Sequence, residues 1–301
     1  MNNNFPITGT FIDEITYDIP SSNWSLEQWR AELDYMQAVG IDTLVFIRGG
    51  FNGRTIFPSK HFFCLRKYDF MDFILQEAEK RNMKVFIGMY ISNLTWNDGD
   101  YREELRANKL FVDEVLEKYV HYKSFYGWYI PHETCTNIYN VGRVLKDLTA
   151  LCKDRTPEKK TLVSPFFCSK VVSEKPFSPQ RFFDEWDNVY ESLKHNLDIC
   201  AYQDGTAPIE ELEFYLKQAK ELCDKHKMTL WTNVEGFERD PRFMYYPIPF
   251  ELLQSKLEIS QKYVEKSIMF EFSHFLSPQS IYPSARNLNS LYQEYYGAKR
   301  K

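Results

Sequence analysis

The chain has 301 residues, 44% apolar and 26% charged, with a formal net charge of −5. Such a composition provides a large core, and a chain of this length can run as one domain; the acidic balance, with no long basic run, argues against nucleic acid as a partner. No stretch of about 18 or more apolar residues is present to cross a bilayer, so no membrane partner is expected. Six cysteines, at 64, 135, 152, 168, 200 and 223, fit reduced thiols rather than a disulfide frame or a metal finger. The N-terminus has neither the basic nor the apolar region of a secretion signal. A cytoplasmic location is expected, with export the alternative if a signal was removed.

Thr8–Glu14 is a short β-rich run, and Ser25 with Gln28 forms a capping box. Leu26, Trp29, Leu33 and Met36 then recur at helical spacing up to Gly40. Thr43–Arg48 is a nearly continuous apolar run, as a strand buried on both faces requires. A loop through Gly49, Gly50, Gly53 and Pro58 leads to a helix near Asp69–Arg81. The alternation continues with strands at Lys84–Tyr90, Tyr126–Glu133, Thr161–Phe167, Leu197–Asp204, Met228–Glu235 and Ser267–Ser273, each followed by a helical pattern, the last over Asn287–Tyr296. Eight strand-then-helix units of roughly forty residues predict an α/β fold of one kind, a single (β/α)8 TIM barrel filling residues 1–301. A doubly wound open sheet is disfavoured, because Gly49, Gly50 and Gly53 do not have the spacing of a phosphate-binding turn.

In such a barrel the strand C-termini form the mouth where substrate sits. Strand four ends in Glu133 and strand seven in Glu235. The two-residue period of a strand groups Glu235, Asn233 and Trp231 on the lumen side, and Glu133, Pro131, Tyr129 and Gly127 likewise. Applied to strand eight, it turns Glu271 and Ser273 inward and Phe270 outward. Two carboxylates at one mouth suit glycoside cleavage, which needs a proton donor for the leaving oxygen and a second carboxylate at the anomeric carbon. Glu238 or Glu271 could stand in for Glu235. Asp13 is preferred over Glu14 as the mouth residue of strand one. Asp204 is either turn chemistry with Gly205 or a substrate contact. Tyr90, Trp96, Tyr129, Phe167, Tyr202, Trp231 and Phe237, at or near strand ends, offer rings that could stack on sugars.

This arrangement resembles the clan A glycoside hydrolases, (β/α)8 enzymes whose acid/base Glu closes strand four and whose nucleophilic Glu closes strand seven. The chain also looks like an uncharacterised family of bacterial glycosidase-like barrels, through Gly9-Thr10-Phe11, Gly127-Trp128-Tyr129 with Glu133, Tyr202-Gln203-Asp204-Gly205 and Asn233-Val234-Glu235. The resemblance implies a retaining glycoside hydrolase acting on a carbohydrate without cofactor or metal, with Glu133 as acid/base and Glu235 as nucleophile. It places Arg48 beside the nucleophile and a sugar contact at His132, where clan members often carry Asn. With Asp13, Tyr90, Tyr202, Asp204, Trp231 and Asn233, these make the expected substrate-binding set. Glu271 could instead pair with Arg48. Two other functions fit the same acids: a metal-dependent sugar isomerase or epimerase recruiting His132, Asp204, Glu235 and Glu271, and a carbohydrate-binding barrel without catalysis.

Overall fold

A computed structural model of the chain describes residues 5–16, 19–93, 101–136, 140–239 and 244–298. Parallel strands β1 (Ile7–Ile12), β2 (Thr43–Phe46), β3 (Lys84–Gly88), β4 (Phe125–Ile130), β5 (Lys160–Val163), β6 (Ile199–Gln203), β7 (Thr229–Glu235) and β8 (Lys266–Phe270) form a closed eight-stranded barrel. Around it lie helices α1 (Leu26–Ala38), α2 (Phe70–Lys80), α3 (Tyr101–Tyr119), α4 (Val141–Arg155), α5 (Pro179–Ser192), α6 (Ile209–Lys225), α7 (Phe250–Ser260) and α8 (Pro283–Ala298). The (β/α)8 architecture read from the sequence is therefore present.

Local chemistry accounts for the helix ends. The Ser25–Gln28 capping box is formed in full at the start of α1, and Gly40, just beyond that helix, takes φ +85°, a conformation open to residues without Cβ. Asp69 and Ser178 cap α2 and α5 with side-chain oxygens that accept from Asp72 N and Arg181 N. Barrel closure depends on Gly9, which pairs with Ile268 across the β1–β8 seam. A Cβ there would sit 2.5 Å from Ile268 Cγ2.

The core divides as a two-residue period demands. Phe11, Val45, Phe86, Tyr129, Leu162, Ala201, Trp231 and Ile268 fill the lumen as one cluster, while Leu44, Phe46, Trp128, Ile130, Leu230 and Val234 join the larger layer between barrel and helices. This is the orientation expected for β4 and β7. For β8 the expectation is corrected: Ile268 packs in the lumen, Phe270 packs against that cluster, and the strand stops at Phe270 before a one-turn helix, Phe272–Phe275. Glu271 lies outside the lumen row because strand alternation no longer runs through it.

The strand-helix alternation is also not the whole content of the chain. Short strands Phe63–Cys64, Arg54–Thr55, Gly50–Phe51 and Tyr90–Ile91 form a separate four-stranded sheet, and Phe237–Arg239 pairs antiparallel with Tyr245–Pro247 just after β7. These additions wall one end of the barrel.

On α1, Glu32 is fully buried against Ser277 and Gln279, whose side chains donate to its Oε2 at 2.7 and 2.9 Å. Burial is the main cause that pushes its carboxyl from 4.5 up to about 7. The folded chain thus holds this proton more tightly than the unfolded chain. Stability contributed by the protonated group is intact below about 4.5 and is lost as pH rises toward 7, to a total on the order of 3 kcal/mol. Glu32→Gln is expected to remove that loss: its melting temperature should exceed that of the wild type at pH 8 and approach it at pH 4.5, measured by thermal unfolding across pH.

Candidate active site

At the C-terminal end of the strands the barrel opens into a cavity of about 640 Å³. Glu133 and Glu235 both line it, with Asp13, Arg48, Gln203 and Asn233 on the polar side and Phe237, Tyr245, Phe270 and Phe275 forming an aromatic wall. The wall is continuous: Phe237 packs on Phe270, Tyr245 and Phe275 with ring centroids 4.9–5.9 Å apart. The lining therefore combines polar and charged side chains with aromatic rings.

Glu133 follows β4 after a short turn in which its own N–H donates to Pro131 O. Its side chain is 22% exposed, opening into the cavity. Tyr129, two lumen positions below, donates its hydroxyl to Glu133 Oε1 at 3.1 Å, and Arg48 Nη2 stands 3.9 Å from Oε2. Arg48 is itself tethered by a 3.0 Å bond to Thr16 Oγ1 and lies over the Phe51 ring. Burial raises the Glu133 pKa, while the Arg48 charge and the Tyr129 hydrogen bond act against the rise.

Glu235 is held from behind. Its backbone N–H donates to Asp204 Oδ1 at 2.8 Å, and its carbonyl accepts from Lys256 Nζ at 2.9 Å. Lys256 closes the loop by donating to the same Asp204 Oδ1 at 2.9 Å. All three residues are buried. The Glu235 carboxylate lies against Gly205, where a Cβ would stand 2.6 Å from Cδ and closer still to Oε2. Burial pushes its carboxyl up to about 7; Lys256 opposes this and Asp204 adds to it, with a further upward contribution from Glu133.

Of the expected contacts, Asp13, Arg48 and Asn233 reach the cavity. Asp13 Oδ1 accepts from the N–H groups of Ile15 and Thr16, and Asn233 Nδ2 donates to Ser164 Oγ at 3.1 Å. Arg48 is corrected in partner: it stands at Glu133, not beside Glu235, and not on Glu271, whose Oε1 lies 2.9 Å from His274 Nε2. Glu14 turns away to Arg66 and Ser21.

Tyr90, His132, Tyr202, Asp204 and Trp231 do not line the cavity. Tyr90 belongs to the outer sheet, accepts from Gly53 N and stacks on Phe62. His132 Nε2 lies 2.9 Å from Glu104 Oε1 on α3. Tyr202 has the outward parity of β6, stacking on Phe167 and sharing a 2.6 Å hydrogen bond with Tyr190. Asp204 Oδ1 accepts from the Glu235 N–H. Trp231 does face the lumen, but four residues before Glu235, roughly 13 Å back along the strand, edge-on to Phe86. Trp96 lies outside the described residues.

Phe237, expected as a ring near a strand end, does line the cavity, whereas Lys256 and Tyr245 escaped the reading by strand ends because they sit on a helix and on the far strand of a hairpin beyond the barrel. Gly205 was visible as a turn residue. Its contact with a carboxylate thirty residues later was not.

Barrel and chamber together define a (β/α)8 fold with a cavity at the C-terminal end of its strands. Residues 7–282 match the family described as a domain of unknown function, DUF4434, and the chain belongs to that family. It is similar to the crystal structure of a Bacteroides thetaiotaomicron VPI-5482 protein provisionally named an alpha-L-fucosidase, at 37% identity over 98% of this chain and 94% of that one, with a TM-score of 0.91. It shares its fold with a Thermobacillus composti GH10 xylanase (10% identity, 94% and 88% covered, TM-score 0.57) and the intracellular xylanase TsXylA of Thermoanaerobacterium saccharolyticum (13%, 88% and 85%, 0.55). No curated protein matches.

Two substitutions test the support of Glu235. Gly205→Ala would bring a Cβ to 2.6 Å from Glu235 Cδ and 3.1 Å from Glu235 Cβ, so it should move the buried carboxylate, readable as a displaced Glu235 in a crystal structure, and lower the melting temperature. Lys256→Met leaves Asp204 buried without its cation and should cost about 3–5 kcal/mol in denaturant unfolding; Asp204→Asn combined with Lys256→Met should recover part of that loss.

Proposed function

We propose that this protein is a retaining glycoside hydrolase that uses Glu133 and Glu235 as its carboxylate pair. The observation carrying this reading is that both glutamates open onto one chamber at the C-terminal end of the barrel, while Glu14, Asp204 and Glu271 are engaged with Arg66, Lys256 and His274; Asp13 also lines the chamber, its Oδ1 accepting from the Ile15 and Thr16 N–H groups. Each Glu also lies close enough to a charged neighbour for its proton affinity to respond, and Glu133 is among the groups that raise Glu235. Such a pair can donate a proton to a leaving oxygen and form, then release, a covalent bond to the anomeric carbon. Strand position, through the resemblance, makes Glu133 the acid/base and Glu235 the nucleophile.

The aromatic wall supports a carbohydrate ligand, since a pyranose presents hydroxyls at its rim and C–H groups on its face. Asn233, Gln203, Asp13 and Arg48 supply the polar side. Of the residues that a metal-dependent isomerase would gather, Glu235 lines the cavity, but His132, Asp204 and Glu271 are turned to Glu104, Lys256 and His274. The name carried by the 37% identical relative makes α-L-fucosides the first substrates to try.

The wild type is expected to hydrolyse at least one member of a panel of p-nitrophenyl glycosides that includes the α-L-fucoside. Glu133→Ala and Glu235→Ala should each lower kcat/KM on it by about a thousandfold with the circular dichroism spectrum unchanged. Saturable sugar binding without turnover in the wild type would point instead to a non-catalytic barrel.

A further inference from the structure

We infer that Cys135 and Cys168 form a disulfide site, closed by a bond when the chain folds in the presence of a disulfide oxidant, that ties the loop carrying Glu133 to the loop after β5. The inference is independent of the glycosidase reading.

Spacing along the chain hides this pair, since the two cysteines lie 33 residues apart. In the fold their sulfurs stand 3.2 Å from each other, and both residues are buried. That is closer than even carbon atoms pack without a bond, about 3.5–4.0 Å, and roughly 1.2 Å longer than a disulfide bond. The backbone around the pair is already held. Thr134 O, one residue before Cys135, accepts from Phe166 N at 2.8 Å, so the loops after β4 and β5 are laced together beside the two sulfurs. Cys168 O accepts from Phe177 N at 2.8 Å, and Ser169 Oγ donates to Thr206 O. Closing the bond therefore asks for a small side-chain movement and not for a rearrangement of the loops.

The other four cysteines have other partners. Cys64 Sγ donates to Arg66 O, and Cys152 Sγ to Met89 Sδ. Cys200 on β6 meets Cys223 of α6, but it also shares a 3.0 Å hydrogen bond with the Tyr190 hydroxyl. Both members of that second pair sit on regular elements. Cys135 and Cys168 sit instead on loops beyond the strand C-termini, where a cross-link fixes chain that no sheet ladder holds.

The Cys135 contact, followed by burial, pushes the Cys168 thiol up, so the folded dithiol presents little of the reactive thiolate. Exchange accordingly belongs to folding, while both sulfurs are still in water. The thiolate of one cysteine attacks a sulfur of a dialkyl disulfide such as oxidised glutathione and releases one glutathione thiolate. The thiolate of the other cysteine then attacks the protein sulfur of that mixed disulfide and releases the second. Two cysteine thiols are oxidised to one disulfide, two electrons reduce the oxidant to two thiols, and the protons lost by the cysteines end on those thiols. The resulting ring encloses α4 and β5, and Glu133 stands two residues outside it.

Refolding of the full chain is the test. The protein is reduced in guanidinium, refolded with either a mixture of reduced and oxidised glutathione or dithiothreitol, alkylated, and digested without reduction for mass spectrometry. The glutathione sample should yield a peptide pair joining Cys135 to Cys168 that is lost on reduction, and it should melt about 5 °C or more above the dithiothreitol sample. Cys168→Ser should remove that difference. Because this variant can fail to fold, Cys135→Ala accompanies it, and the wild-type peptide pair decides the outcome without either. Cys135 or Cys168 found mainly alkylated, carrying glutathione, or bonded to another cysteine overturns the inference. A Cys135–Cys168 bond that leaves the melting temperature unchanged or lowers it overturns it as well.

Discussion

Closure of β1 against β8 is the constraint on which the rest of the molecule depends. A parallel sheet with no free edge satisfies its ladder hydrogen bonds internally, and the lumen then has to be filled by side chains of matched size. Gly9 makes that possible at the seam: with no Cβ in the way, Ile268 swings into the lumen beside Phe11 and Trp231. Once the lumen is solid, the strand C-termini are where space opens, and the loops beyond β2, β4, β7 and β8 converge around one chamber.

A chamber of this kind concentrates acids in a place with little water, so each must find a cation, a hydrogen-bond donor or a proton. Around the rim the pairings are local and varied. His274 meets Glu271, whose other oxygen accepts from Asp13 N; His132 meets Glu104; Arg66 meets Glu14. The Asp204–Lys256 pair has an additional role, because its two members grip the N–H and C=O of the same residue, Glu235. A buried ion pair of this sort contributes less net stability than it does fixed geometry. Here the geometry it fixes is that of a carboxylate facing the cavity.

Much of the architecture was legible because it follows from short-range rules. The near-continuous apolar runs at Thr43–Arg48 and Lys84–Tyr90 mark strands covered on both sides, and the Ser25–Gln28 box marks a helix start through bonds spanning three residues. The parity test worked for β7, where Asn233 and Glu235 enter the cavity and Val234 does not. It failed for β8 because alternation was carried past Phe270 into a helical turn; Tyr202, to which it was not applied, was credited to the mouth as an aromatic at a strand end, although its own parity sends it to α5.

By itself the sequence determined the eight-unit barrel, the lumen and helix faces of its fourth and seventh strands, and the two carboxylates delivered to its mouth, since periodicity and strand termini are properties of neighbouring residues. Only the tertiary structure decided which groups answer those carboxylates. Arg48 goes to Glu133 rather than Glu235, and Lys256 reaches from α7 to a backbone carbonyl 21 residues earlier. The physical reason is that a proton's affinity for a buried acid depends on distances of a few ångströms between side chains remote in the chain. No spacing along the sequence records those distances.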